Sequence, residues 1–178
     1  MEIDKEHLST SSLISKVSEF SKFLEHGNNG IQEIMNCLSR KGFSQFGSQS
    51  VHLTRLNSDN QLIFDLMSGA IDSKEFGKVQ NFDLTSKLPI VDVFRSGKIM
   101  WINTLPDWGA EYPILKDYPT GFHCKTFIAI PIFDGDVVHG VLSIFCEPKL
   151  FESDSFNHFF SSIAGLLTLY FINSPGIF

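Results

Sequence analysis

The chain has 178 residues, 43% of them hydrophobic, and its 20 acidic and 14 basic side chains give a net charge of −6 at pH 7. This length fits one domain of ordinary size, and the apolar content excludes disorder as the main state. Because a net acidic surface repels phosphates, the composition disfavours direct nucleic-acid binding by this domain.

The cysteines and the apolar segments indicate a compartment. Cys37, Cys124 and Cys146 are an odd number without a CxxC pair, which is typical of a reducing cytoplasm rather than of a secreted disulfide scaffold. Residues 1–12 have no apolar core of a signal peptide. The apolar stretch 156–172 is too short and too interrupted by polar residues for a bilayer span. We therefore expect a cytoplasmic protein without a membrane partner.

Two helices are predicted at the amino-terminal end. From Ser9 to Glu25 apolar residues recur every three or four positions, as on one stripe of an amphipathic helix, and Ser9 or Thr10 is placed to cap it. A Gly/Asn-rich break follows, and a second helix runs from Ile31 to a stop at Lys41-Gly42.

The middle of the chain alternates between strands and connections. Two strands, 50–56 and 61–67, form a hairpin around the polar turn 57–60. The remaining predictions are a connection over 69–87, a short helix over 89–95 that begins at a proline and stops at Gly97, a strand over 98–102, and a turn-rich stretch over 103–123.

Two strongly apolar strands and a helix close the chain. The strands, 126–133 and 137–145, are joined by Asp134-Gly135-Asp136, a hairpin turn in which glycine supplies a positive φ. Both are apolar on both faces, which predicts a sheet covered on both sides. A final helix begins near Ser153-Asp154. Helices at both ends of antiparallel strands indicate an α+β domain.

At this point the segment 88–170 resembles a GAF domain, a small-molecule-sensing domain of signalling proteins. Four segments carry the resemblance, in this order along the chain. Val93 to Ile99 forms a helix, a glycine and the start of a strand, and Tyr112 to Leu115 is a loop. The apolar run Phe127 to Ile132 is followed by the turn Asp134-Gly135 and by Gly140 to Ser143, and Phe151 and Asp154 precede the last helix. With the first helix and hairpin, the similarity extends over residues 10–172.

The resemblance implies a central antiparallel sheet, with the terminal helices packed on one face and a loop-covered pocket on the other. It divides the chain into a helical segment, 1–40, that packs with the C-terminal helix, a GAF-like domain over 41–172, and a tail over 173–178. It also implies a non-catalytic sensory or regulatory domain of a signal-transduction or transcription-regulatory protein, which binds a small apolar or aromatic ligand, transmits dimer geometry, or does both. The resemblance leaves two routes to an output: an effector domain elsewhere on a longer chain, or association of the domain itself.

The family's better-defined ligand classes do not carry over. The Asn-Lys-Phe-Asp-Glu set of cyclic-nucleotide-binding members is missing, and so is the Cys-His or Cys-Tyr pair of bilin-binding members, since His123 precedes Cys124. Neither cofactor is therefore expected, and the ligand stays unknown.

Strand parity combined with the resemblance gives the pocket candidates. Alternate side chains of a strand share a face, so the floor is expected to be apolar with one hydroxyl, beneath a lid formed by 103–123. Such a site suits an aromatic or heterocyclic ligand, although the same side chains could simply fill a core. The candidates are Phe127, Ala129, Ser143, Phe145, Trp108, Tyr112, Phe122 and His123.

The resemblance also implies a homodimer through the terminal helices. One alternative function is therefore a homodimerisation module without a ligand. The candidate residues for the dimer seam are Leu13, Val17, Phe20, Leu24, Phe159, Ile163 and Leu166.

Catalytic chemistry has little support in the sequence. GxSxG, HExxH, GxxxxGK[ST] and GxGxxG motifs do not occur. His123 and Cys124 are adjacent, and neighbours in an extended segment point apart, so no metal site is expected. A few GAF-fold proteins reduce free methionine sulfoxide, but Cys124 has no clear resolving partner, so this alternative ranks last.

Overall fold

The computed structural model describes residues 9–26, 30–57, 59, 61–69, 81–103, 111–112 and 124–173, with the backbone alone for 62–67. Its helices, in chain order, are α1 (Thr10–Glu25), α2 (Ile31–Cys37), α3 (Pro89–Ser96) and α4 (Asp154–Asn173). Ser9 caps α1, its Oγ accepting from the Ser12 amide at 3.3 Å. After α2 the chain continues through a wider turn, Leu38–Gly42, and a tight one, Ser44–Phe46.

In the part of the chain that the structure describes, six strands form a single antiparallel sheet in the order β3-β2-β1-β6-β5-β4. Their bounds are β1 (Ser48–Leu56), β2 (Gln61–Gly69), β3 (Asn81–Asp83), β4 (Met100–Ile102), β5 (Thr126–Asp134) and β6 (Val137–Cys146). The α+β fold class is therefore confirmed. The connection predicted over 69–87 is partly wrong, since β3 pairs there with the start of β2. Three residues are too few for strand alternation to be read from the sequence.

Positive φ angles occur where the sequence predicted turns. Gly97 ends α3 with φ 63°, and Gly135 lies in the β5–β6 turn with φ 59°. Left-handed backbone is costly for side chains with a Cβ atom and open to glycine. These two glycines therefore fix where α3 ends and where the apolar hairpin reverses.

The sheet separates two apolar layers, as the apolar residues on both faces of β5 and β6 predicted. On one face Ile128, Ile130, Leu142 and Ile144 join the core that contains the terminal helices. On the other face Phe127, Ala129, Val141 and Phe145 pack in a second cluster with side chains of α3. Terminal helices on one face and a separate layer on the other is the arrangement that the resemblance implied.

Phenylalanines dominate the core between the sheet and α4. Phe160 is fully buried and its ring centroid lies 5.2 Å from that of Phe46 and 5.8 Å from that of Phe43. Trp101, on β4, contacts the same ring at 5.7 Å. The unusual phenylalanine content, 18 residues, thus has a structural reason on this face.

The residues predicted to form a dimer seam need correction. Leu13, Phe20, Phe159 and Ile163 are at most 3% exposed, because α1 and α4 turn these side chains toward the sheet. They belong to the core of a single chain. Val17, Leu24 and Leu166 are half-buried at the edge of that core. The sequence showed the apolar stripe correctly, but a stripe does not say whether it faces the chain's own sheet or a second copy.

By length and composition α4 is apolar enough to cross a bilayer, alone among the helices of the described ranges. Its side chains Phe160, Ile163 and Leu167 are nevertheless fully buried in the core. This is the position of a core helix.

Candidate functional site

The sheet face opposite the terminal helices is organised in cross-strand rows, because β1, β6 and β5 lie side by side in register. One row joins Ser50, Phe145 and Phe127, and the next joins His52, Ser143 and Ala129. A third joins Thr54, Val141 and Pro131. Side chains opposite each other in such rows are about 4.5–5.5 Å apart at Cβ. We call these nine residues the floor.

Small side chains occupy the centre of the floor. Ser143 and Ala129 are neighbours in the middle row, while the rings of Phe145 and Phe127 lie at one end with centroids 4.9 Å apart. The middle row continues to Met100 on β4, which pairs with Ala129. The predicted pocket residues on β5 and β6 are therefore brought together on one face, with small side chains in the middle row and large rings at one end.

The polar side chains of β1 were missed at the sequence level. Ser50, His52 and Thr54 alternate with Val51 and Leu53 and are at most 1% exposed. The signal was present as strict alternation of polar and apolar residues, which usually means one solvated face. Here both faces of β1 are covered, so the alternation produces a buried polar strip.

Two hydroxyls of the floor are buried without a hydrogen-bond partner among the described residues: Thr54 Oγ1 and Ser143 Oγ. Most buried polar side chains do have a partner, and leaving one unsatisfied costs about 1–3 kcal/mol. Thr126, by contrast, is equally buried, and its Oγ1 accepts from the Leu150 amide at 2.8 Å and donates to the Pro148 carbonyl at 3.0 Å. The floor therefore holds two hydroxyls whose hydrogen-bonding capacity the described part of the chain does not use.

His52 is held neutral by its surroundings. Its Nε2 lies 3.0 Å from Ser50 Oγ, and its ring centroid lies 5.0 Å from that of Phe145. Burial lowers the pKa of this imidazole to about 3, because the charged form would lose its hydration. At neutral pH the ring thus adds a polar but uncharged edge to the floor.

Tyr112, a predicted lid residue, is anchored above this layer. It is 2% exposed, and its hydroxyl donates to Asp92 Oδ2 on α3 at 3.0 Å and lies 3.6 Å from Met100 Sδ. Burial and the neighbouring carboxylate both raise the pKa of the phenol well above its ordinary value. Tyr112 therefore ties residues 111–112 to α3 and to the end of the middle row.

Removing that hydroxyl is expected to weaken the tie without affecting the core. Tyr112→Phe should lower the free energy of unfolding by about 1–2 kcal/mol, since it leaves the Asp92 carboxylate without this donor. Chemical denaturation at pH 7 measures the loss. Equal stability of wild type and Tyr112→Phe would contradict the anchoring role.

The remaining predicted lid residues, Trp108, Phe122 and His123, lie outside the described residues. Their roles stay predictions.

The thiols offer little nucleophilic character. Burial raises the pKa of Cys124 to about 12 and that of Cys146 well above its ordinary value, so neither forms a thiolate near neutral pH. All three cysteines are reduced. Within the described ranges no group of three or more His, Cys, Asp or Glu side chains is arranged to hold a metal ion.

Comparisons with known proteins decide the family. The family model described as "GAF domain" matches residues 30–170, which is most of the chain. The chain belongs to the GAF family. The predicted membership is thus confirmed, and the match includes α2, the whole sheet and most of α4. A comparison with curated proteins finds no match for this GAF domain.

Solved structures agree on the fold. A GAF domain of an Acinetobacter phosphoenolpyruvate-protein phosphotransferase is 11% identical with a TM-score of 0.73, over 93% of this chain and 95% of that one. Free methionine-R-sulfoxide reductase from Neisseria meningitidis, in complex with its substrate, is 12% identical with a TM-score of 0.73, over 98% and 94%. The A. aeolicus nlh2 GAF domain is 21% identical with a TM-score of 0.65, over 90% and 96%. At these identities the likeness shows the fold alone.

Proposed function

We propose that this GAF domain is a non-catalytic sensory module of a cytoplasmic signalling or transcription-regulatory protein, and that it binds a small aromatic or heterocyclic molecule on the floor. The observation that carries the proposal is the pair of buried hydroxyls, Thr54 Oγ1 and Ser143 Oγ, which have no hydrogen-bond partner among the described residues, on a surface whose other polar side chains, Ser50 and His52, bond to each other. A ligand that supplies partners for both would relieve a cost of about 1–3 kcal/mol for each.

The edge strand β4 supports transmission from the floor to the terminal helices. Met100 points to the floor side, within 3.6 Å of the Tyr112 hydroxyl. Its neighbour Trp101 points to the other side, where Nε1 donates to Asn157 Oδ1 on α4 at 2.9 Å. A ligand that displaces β4 would therefore also move Trp101 and change its hydrogen bond to α4. A ligand shifts the domain between two states only if it binds one of them more tightly, and an output domain elsewhere would respond to α4.

The proposal is tested by screening a library of small metabolites for an increase in melting temperature, followed by native mass spectrometry of the hits. We expect at least one aromatic or heterocyclic compound to stabilise the wild type and to lose this effect in Ser143→Ala. Ser161→Ala, an exposed serine on α4, should bind like the wild type. No stabilisation across the library would refute the sensory role. Turnover of free methionine sulfoxide would instead favour the reductase alternative.

A second candidate function, homodimerisation through the terminal helices, has its own observation. Ile14 on α1 and Leu169 and Ile172 on α4 are 65%, 58% and 53% exposed. Next to Leu169 a groove of about 340 Å³ runs between α4 and β5, with Gly165 and Thr168 on its helix side. Exposed apolar side chains on both terminal helices could be buried in an interface with a second copy of the chain.

This candidate predicts a concentration-dependent dimer that is lost when charge is placed on the exposed positions. Ile14→Asp and Leu169→Asp should each sediment as monomers, because a buried unpaired carboxylate opposes association. Val137→Asp, 60% exposed on the β5–β6 hairpin, should leave the dimer intact. Leu13→Asp is unsuitable as a test because Leu13 is a core residue, and its substitution would unfold the chain. Unchanged sedimentation of both helix variants would refute this seam.

A further inference from the structure

We infer that the molecule bound on the floor is flat and uncharged and carries hydrogen-bonding groups on its edge. This inference rests on the proposed function and narrows its ligand class. It is drawn from three properties of the floor: the placement of its small side chains and rings, the positions of its two unpartnered hydroxyls, and the charges of its described residues.

The distribution of small side chains and rings favours a flat molecule. Ser143 and Ala129 are the small neighbours at the centre of the floor. The rings of His52, Phe145 and Phe127 form one continuous aromatic side, with successive centroids 5.0 and 4.9 Å apart. A planar ring placed over the small residues would meet these rings in the edge-to-face or offset geometries that aromatic pairs prefer. A bulky, branched ligand would gain less from this surface.

The hydroxyls favour polar groups on that ring. Thr54 lies opposite Val141, and Ser143 lies two residues further along β6 on the same face, so the two are diagonal neighbours. Such positions are separated by about 7–8 Å, a distance that a single substituted six-membered ring can span. A hydroxyl can donate or accept a hydrogen bond. The two hydroxyls can therefore bond to the N–H and C=O groups at the edge of an amide-containing ring.

The surrounding charges oppose an ionic ligand. The described side chains of the floor include no lysine or arginine, and Arg55 alternates with Thr54 and therefore lies on the other face of β1. His52 is neutral at physiological pH, and Asp92 already accepts from Tyr112. Among the described floor residues a buried carboxylate or phosphate on the ligand would find no cation in exchange for its lost hydration, at a cost of several kcal/mol.

Matched pairs of compounds that differ in one charge test this inference: benzamide with benzoate, nicotinamide with nicotinate, and uracil with orotate. Each is titrated to millimolar concentration into the full chain, with melting temperature and ¹H–¹⁵N chemical shifts as readouts. We expect at least one neutral member to shift β1 and β6 resonances and to bind at least tenfold more tightly than its charged partner. The double variant Thr54→Val/Ser143→Ala should weaken that binding at least tenfold, while Ser161→Ala should not.

The outcomes separate this inference from the proposed function. Tighter binding of a charged member, lost in the double variant, would overturn the uncharged class and leave the sensory role in place. Binding of a neutral member that the double variant retains would overturn the role of the hydroxyls. An absence of binding by every pair, together with an empty metabolite screen, would overturn both.

Discussion

Phe160→Ala is expected to lower the free energy of unfolding by about 3–5 kcal/mol, the usual cost of removing a buried ring that the surrounding core cannot replace. Phe160 is fully buried and contacts the rings of Phe46, Phe43, Phe159 and Trp101, at centroid distances from 5.2 to 5.8 Å. Its loss would open a cavity bordered by α4, β4 and the turn after α2. Urea denaturation measures the change.

The matched control for this prediction is another phenylalanine, Phe151, which precedes α4 in the sequence. Phe151 is 69% exposed, so Phe151→Ala should change stability by no more than about 0.5 kcal/mol. A loss below 1 kcal/mol in Phe160→Ala would show that α4 is not held to the sheet as described, and that its apolar residues are available for another contact.

Acidification from pH 7 to pH 5 is expected to cost about 2 kcal/mol of stability through His52 alone. In the unfolded chain a histidine has a pKa near 6.5, whereas burial lowers the pKa of folded His52 to about 3. Between these values the unfolded state binds a proton that the folded state does not. Stability is therefore complete above about pH 6.5 and is lost as the pH falls toward 3.

His52→Gln isolates this effect, because glutamine can still bond to Ser50 but does not titrate. The free energy of unfolding, measured at pH 7 and at pH 5, should fall by about 2 kcal/mol more in the wild type than in the variant. Equal pH dependence in wild type and His52→Gln would contradict the burial of a neutral imidazole on the floor.

Much of the fold could be predicted because its signals are local. The capped stripe of α1, the proline that opens α3, Gly97 and the Asp-Gly-Asp turn each act within a few residues, and each has the predicted place in the structure. The parity of β5 and β6 also placed the predicted floor residues correctly, since alternation follows from backbone geometry alone.

What the sequence left open depends on contacts between distant segments. His52 reads as one polar residue in an alternating strand, and only the pairing of β1 with β6 brings it opposite Ser143. From the sequence, Leu13 and Phe159 could belong either to the core or to a dimer interface. An apolar stripe predicts that a helix face is buried, but not whether the chain's own sheet or a second copy buries it. The three-residue strand β3 has too little pattern of its own and depends on its pairing with β2.

The claim that the floor keeps hydroxyls for a ligand is tested most directly by comparing two buried threonines. Thr54→Val removes a hydroxyl that has no partner among the described residues, and Thr126→Val removes one that bonds to the backbone near Leu150. We measure the free energy of unfolding of both variants by chemical denaturation. Thr126→Val should lose about 1–3 kcal/mol, while Thr54→Val should be as stable as the wild type or about 1 kcal/mol more stable. A loss in Thr54→Val as large as in Thr126→Val would show that the chain itself satisfies this hydroxyl, and would contradict the account of a ligand-binding floor.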